Sequence, residues 1–71
     1  MTQKQMIMKY IEDFGSITSW EAYAELGITQ LGARIYELEK LGVRFNRETV
    51  YRVNRYDKQV KFTRYSIKEA V

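Results

Sequence analysis

Apolar residues recur along residues 2–14 at spacings of three and four: Met6, Ile7, Tyr10, Ile11 and Phe14. That period marks one face of a helix. Lys4, Lys9, Glu12 and Asp13 take its wet side, and Met8 falls at the margin of the stripe. Thr2 is the expected N-cap and Gly15 the expected stop. A short connector follows, in which Ile17 is expected to be buried and to form a one- or two-residue bridge to a later strand. The run T-S-W-E at 18–21 has the form of a capping box: a Thr hydroxyl accepts from the amide three residues on while the Glu reaches back. The second helix is expected to run to about Leu26 and to bury Ala22, Leu26 and either Tyr23 or Trp20, the two aromatics serving as core and rim packing. Gly27 ends it, and Ile28 is the apolar residue inside the turn. Thr29 is expected to cap a third helix whose stripe is Leu31, Ile35, Leu38 and Leu41, with Gly42 as its stop.

The period changes at Val43. V-R-F-N-R and T-V-Y-R-V have the alternation and the β-branched or aromatic content of strands. N-R-Y-D-K-Q at 54–59 supplies turn residues, with Asn54 and Asp57 the candidates for unusual backbone angles. V-K-F-T-R-Y-S-I at 60–67 is the returning strand, and residues 68–71 are expected to fray. Two short helices across a glycine turn, at residues 18–42, have the shape of a helix-turn-helix. Three helices followed by a β-hairpin make an α+β chain in the winged helix-turn-helix arrangement, as a single domain over residues 1–71.

Composition narrows the chemistry. The 71 residues contain no Cys and no His. Disulfides, thiolate metal sites, the commonest zinc ligand and the commonest general base are therefore excluded. Glu12 and Asp13 diverge by about 100° on a helix, and Glu37 and Glu39 also diverge, so neither pair forms a working acid–base dyad. No nucleophile motif or phosphate-binding glycine loop is present, and the chain is expected not to be an enzyme, to need no cofactor and to take no small-molecule substrate. No apolar run approaches the roughly 20 residues of a membrane span, and the N-terminus lacks a signal core. A cytoplasmic location is expected.

Charge changes the picture further. Residues 1–42 carry Lys4, Lys9, Arg34 and Lys40 against Glu12, Asp13, Glu21, Glu25, Glu37 and Glu39, a net of −2. Residues 43–64 carry Arg44, Arg47, Arg52, Arg55, Lys58, Lys61 and Arg64 against Glu48 and Asp57, a net of +5. A one-sided basic segment on a small domain is the footprint of a polyanion partner. Seven bases within 22 residues exceed what protection of strand edges requires, and five of them are Arg, which suits phosphate forks.

On the third helix, Thr29, Ala33, Tyr36 and Lys40 point away from the apolar stripe, Gln30, Gly32 and Glu37 flank it, and Arg34 lies nearer the core edge. Small residues let a helix backbone sit deep in a groove; Gln can pair with adenine and Ala can touch a thymine methyl. Tyr36 and Lys40 are candidates for groove or phosphate contact, and Thr29 would place backbone amides near a phosphate. Against this, the helix's charges balance, as on a plain wet face or a protein contact. In the hairpin, Arg52, Arg55, Lys58 and Lys61 are the candidates for the DNA backbone or minor groove. Tyr51, Tyr56, Phe62 and Tyr65 interleave with bases, a pattern shared by single-strand stacking and by cross-strand packing. Only Tyr56, at the expected wing tip, is a candidate for nucleic-acid contact.

The run G-S-I-T-S-W-E-A-Y-A-E-L-G-I-T-Q-L-G-A-R-I-Y-E-L-E-K-L-G, with N-R-Y-D-K and the closing V-K-F-T-R-Y-S-I, resembles small helix-turn-helix proteins of phages and prophages of low-GC Gram-positive bacteria. The resemblance covers about residues 4–67. It departs at Asp57, where a glycine is expected after N-R-Y, which leaves the shape of the wing turn open. It implies a winged helix-turn-helix that binds DNA, and little about operator, pathway or partner. The expected reading is a monomer or homodimer that binds double-stranded DNA in transcriptional or recombination-related control in a phage. The alternative is a winged-helix protein-interaction module, an inhibitor or adaptor acting on a host or phage protein.

Overall fold

The computed structural model describes residues 1–68; the expected fraying at the C-terminus falls largely on residues 69–71, outside them. The element order is α1 (Gln3–Phe14), β1 (Ile17–Thr18), α2 (Ser19–Leu26), α3 (Leu31–Lys40), β2 (Phe45–Val53) and β3 (Gln59–Ile67).

Two of the helices start on reciprocal caps. At α1 the Gln5 N–H donates to the Thr2 hydroxyl at 3.1 Å, and the Thr2 N–H donates to the Gln5 side chain at 2.8 Å. At α2 the Glu21 N–H donates to Thr18 Oγ1 at 3.1 Å, and the Thr18 N–H donates to Glu21 Oε1 at 3.0 Å. Each cap contributes about 1 kcal/mol, a large share for so small a core. Gly27 ends α2 in the left-handed conformation, φ 69°, and its N–H bonds back to Tyr23 while that of Ile28 bonds to Ala22. The left-handed residue turns the chain at once, and Ile28 drops into the core.

The core is Ile7, Ile11, Ile17, Ala22, Ile28, Leu31, Ile35, Leu38 and Phe45. Every element except β3 sends a buried residue to it; β3 adds Tyr65 and Ile67 in partial burial, and Met8 packs at the edge as its marginal position suggested. Three expectations of burial fail. Phe14 lies on the α1 stripe yet is 69% exposed, stacked on Tyr10 with centroids 4.6 Å apart. Periodicity fixes direction about a helix axis, not whether another element lies opposite, and Phe14 belongs to the last turn. Leu41 is exposed because α3 stops at Lys40; Leu41 is its C-cap, and Val43 packs on the core instead. Trp20 and Tyr23 are both exposed, since Ala22 and Ile28 already fill the space beneath α2.

The sheet is antiparallel in the order β1-β3-β2. β1 is the expected two-residue bridge, pairing Ile17 with Tyr65 and Thr18 with Arg64. β2 and β3 pair in register from Phe45↔Ile67 to Val53↔Gln59. Side chains alternate across a strand, so the hairpin has two distinct faces. Phe45, Arg47, Thr49, Tyr51, Gln59, Lys61, Tyr65 and Ile67 share the face that turns to the core at its base. Glu48, Val50, Arg52, Val60, Phe62 and Arg64 share the other. Residues 51–61 are all exposed, so the outer half of the hairpin projects from the body.

Candidate nucleic-acid interface

α3 buries Leu31, Ile35 and Leu38 against the core. This leaves Thr29, Gln30, Gly32, Ala33, Tyr36 and Lys40 on the outside, all exposed. The Lys40 ammonium sits 4.8 Å from the centroid of the Tyr36 ring, one turn earlier on the same face. The acids of α3 are not among these residues. Glu37 is partly buried on the side toward α1, where Lys4 Nζ lies at 3.7 Å and Arg34 Nη1 at 3.3 Å. Glu39 turns to β2 and takes the Arg47 guanidinium as a fork, at 2.7 and 3.1 Å. That bond from Arg47 holds the Glu39 carboxyl below the usual carboxylate range and raises Arg47 in turn. The charge balance of the helix therefore does not describe its outer face, which carries Lys40 and no acid.

The start of α3 differs from expectation, whereas Arg34 lies where it was expected. Thr29 is not the cap: the N-cap is Gln30, which makes no side-chain cap bond, so the first amides of α3 have no side-chain acceptor among the described residues. A φ of −126° with ψ of 60° at Gln30 sets the helix start one residue later than the Thr29 hydroxyl could serve. Arg34 stays at the core edge, engaged with Glu37, with its Nε buried and unpartnered.

The hairpin tip is organised by Asn54. Its Oδ1 accepts from the Tyr56 N–H at 2.9 Å and the Lys58 N–H at 3.0 Å. Its own N–H donates to the Lys58 carbonyl at 2.9 Å, and its carbonyl accepts from the Asp57 N–H at 3.1 Å. Asp57 takes φ 60°, the left-handed angle for which a glycine was expected. Asp tolerates that angle better than most side chains, so the turn closes without glycine. The result presents Arg55, Tyr56 and Lys58 outward; Tyr56 is 78% exposed.

The seven hairpin bases separate into two sets. Arg47 is tied to Glu39, and Arg64 to Glu48 at 3.0 Å. Arg44, Arg52, Arg55, Lys58 and Lys61 make no ion pair among the described residues. Arg55 and Lys58 lie at the tip, and Lys61 stands opposite Tyr51 on the face continuous with Arg47. Arg52 is on the opposite face. It does not join the other three there, but lines a groove of about 610 Å³ with Trp20, Tyr23, Val60, Phe62 and Arg64. Sequence reasoning missed this groove, because Trp20 and Tyr23 were assigned to core and rim packing. The signal that could have found it was the surplus of large side chains on an eight-residue helix whose inner face Ala22 already fills. Among the aromatics, Tyr65 packs edge-on against Phe45 at 6.3 Å, the cross-strand packing role.

No helix among the described residues is long and apolar enough to cross a membrane, and no group of His, Cys, Asp or Glu among them could hold a metal ion. Neither a curated protein nor a solved structure matches the chain. Winged helix-turn-helix domains are in general DNA-binding modules rather than enzymes. A family described as "Winged helix-turn-helix domain" has a sequence model that matches residues 2–70, and with its three helices and antiparallel three-stranded sheet the chain belongs to that family.

Proposed function

We propose that the protein binds double-stranded DNA with sequence preference, as a phage or prophage regulator of transcription or recombination. The outer face of α3 enters the major groove through Gln30, Ala33, Tyr36 and Lys40, with Thr29 and the uncapped amides at the helix start near a phosphate. Arg55, Tyr56, Lys58 and Lys61 follow the backbone or the adjacent minor groove. Arg34 and Arg52 stand outside this set, the first by its pairing with Glu37 and the second by its face of the hairpin. The observation that carries the reading is the sorting of charge. Glu37 and Glu39 are drawn into contacts with the body, while the tip bases stay exposed and make no ion pair among the described residues. The phage setting rests on the sequence resemblance alone.

The test is duplex binding as a function of salt. With Lys40, Arg55, Lys58 and Lys61 each on a phosphate, log K falls against log salt with a slope near about −3.6, a loss of roughly 150-fold between 50 and 200 mM. No binding to any duplex at low salt would sink this reading. A second reading, a protein-interaction module for a host or phage protein, is favoured by the groove beside Trp20, where two exposed aromatics flank Phe62 and Arg52. That second reading takes over if binding is absent.

A further inference from the structure

We propose that the Glu39–Arg47 pair, backed by Tyr65, is a positioning element: it sets the angle between α3 and the hairpin so that both reach one duplex together. This rests on the DNA-binding reading above. Arg47 makes two bonds to the Glu39 carboxylate, at 2.7 and 3.1 Å, and a fork of this kind fixes orientation as well as distance. The guanidinium carbon lies 5.4 Å from the centroid of the Tyr65 ring. Tyr65 is the register partner of Arg47 on β3 and meets buried Phe45 edge-on. A chain of contacts therefore runs from the core, through Phe45, Tyr65 and Arg47, to the next-to-last residue of α3.

Position along the hairpin gives the pair its leverage. From Arg47 to the tip is about eight residues, or roughly 25 Å of strand. A swing of about 10° at Arg47 moves the tip by about 4 Å, more than a hydrogen bond to phosphate tolerates. Helix and wing act as two linked binding elements whose effective concentration depends on their mutual geometry. The pair sets that geometry without touching the duplex.

Three variants test this: Glu39→Gln, Arg47→Gln, and the reversed pair Glu39→Arg with Arg47→Glu. Duplex affinity is measured across a salt series, and hairpin orientation relative to α3 by residual dipolar couplings of the free protein. By field alone, removing an acid from a polyanion binder tightens binding. Positioning predicts the opposite: Glu39→Gln weakens binding by roughly three- to tenfold at an unchanged salt slope. Arg47→Gln does the same, both single variants show a reoriented or loosened hairpin, and the reversed pair recovers most of the loss. Tighter or unchanged binding by Glu39→Gln overturns the proposal, as do unchanged couplings in that variant. So does a slope for Arg47→Gln reduced by about one, which would place Arg47 itself on a phosphate. Absence of duplex binding by the unaltered chain at low salt overturns the DNA reading and the pair's role together. Normal binding with an unaffected Glu39→Gln overturns the pair's role alone.

Discussion

α3 and the hairpin are adjacent in the chain and opposite in construction. α3 is held from within: Leu31, Ile35 and Leu38 are each no more than 5% exposed, and its acids are drawn sideways into contacts with the body. What remains outside is mostly small or uncharged, with Tyr36 the one large side chain and Lys40 the one charge. The outer hairpin is held by its own ladder and by Asn54, with residues 51–61 exposed on both faces and basic along their length. A packed helix can present a fixed shape, whereas a solvated ribbon of bases supplies charge with little shape. On the proposed reading, the difference teaches how a domain of net charge +3 can divide a task, the helix supplying specificity and the wing affinity.

The comparison breaks most visibly on stability. Ile35→Ala removes a fully buried side chain and is expected to cost about 2–5 kcal/mol, enough to unfold much of so small a domain. Val53→Ala, on the exposed hairpin, is expected to change stability by under about 0.5 kcal/mol in the same denaturant titration. Comparable losses would mean that the wing is packed as the helix is.

Binding sharpens it next. The double variant Arg55→Ala with Lys58→Ala is expected to lose about 30-fold in affinity near 0.15 M salt, equally for all duplexes, and to reduce the salt slope by about two. Gln30→Ala is expected to leave the slope alone and to relax preference at one base pair, worth about 1–3 kcal/mol of discrimination in a binding-site selection. If the two variants act alike, the division of labour is wrong.

The smallest effect separates fold from function at a single residue. Gly32 is helical and exposed, and a Cβ added there meets nothing within 4 Å. Gly32→Ala is expected to raise stability by about 0.5–1 kcal/mol through helix propensity. On the proposed reading it also sets a methyl at the groove and weakens duplex binding. A variant that is more stable and binds as well would remove this flank of α3 from the interface.

Much of the fold was legible because local chemistry dictates it. The caps at Thr2 and Thr18, the stop at Gly27, the Ile17 bridge and the change of period at Val43 are each decided within a few residues. Asn54 and Asp57 were named for unusual angles; Asp57 takes a positive φ and Asn54 does not, although the missing glycine left the turn open. The errors were of one kind. Phe14, Leu41 and one of Trp20 and Tyr23 were assigned inward from type and period, and all of these residues are exposed, because burial requires a neighbour at the same height and room beneath. Thr29 as a cap failed by one residue, since the turn at Gln30 sets where α3 begins.

The candidate interface was legible in kind and not in arrangement. Residue types alone determined that this chain folds as three helices, two of them side-chain capped, and a basic hairpin, because helix starts, stops and strand periods are local properties of the backbone. They also placed the positive charge in the second half. Only tertiary structure decided which charges remain free. Glu37 meets Lys4 from another helix, Glu39 meets Arg47 from a strand, and Arg52 is carried to the face opposite Lys61 by the register of the hairpin. Ion pairing and facing depend on distances between residues far apart in the chain, and those distances exist only once the core around Ile7, Ile17 and Ile35 has formed.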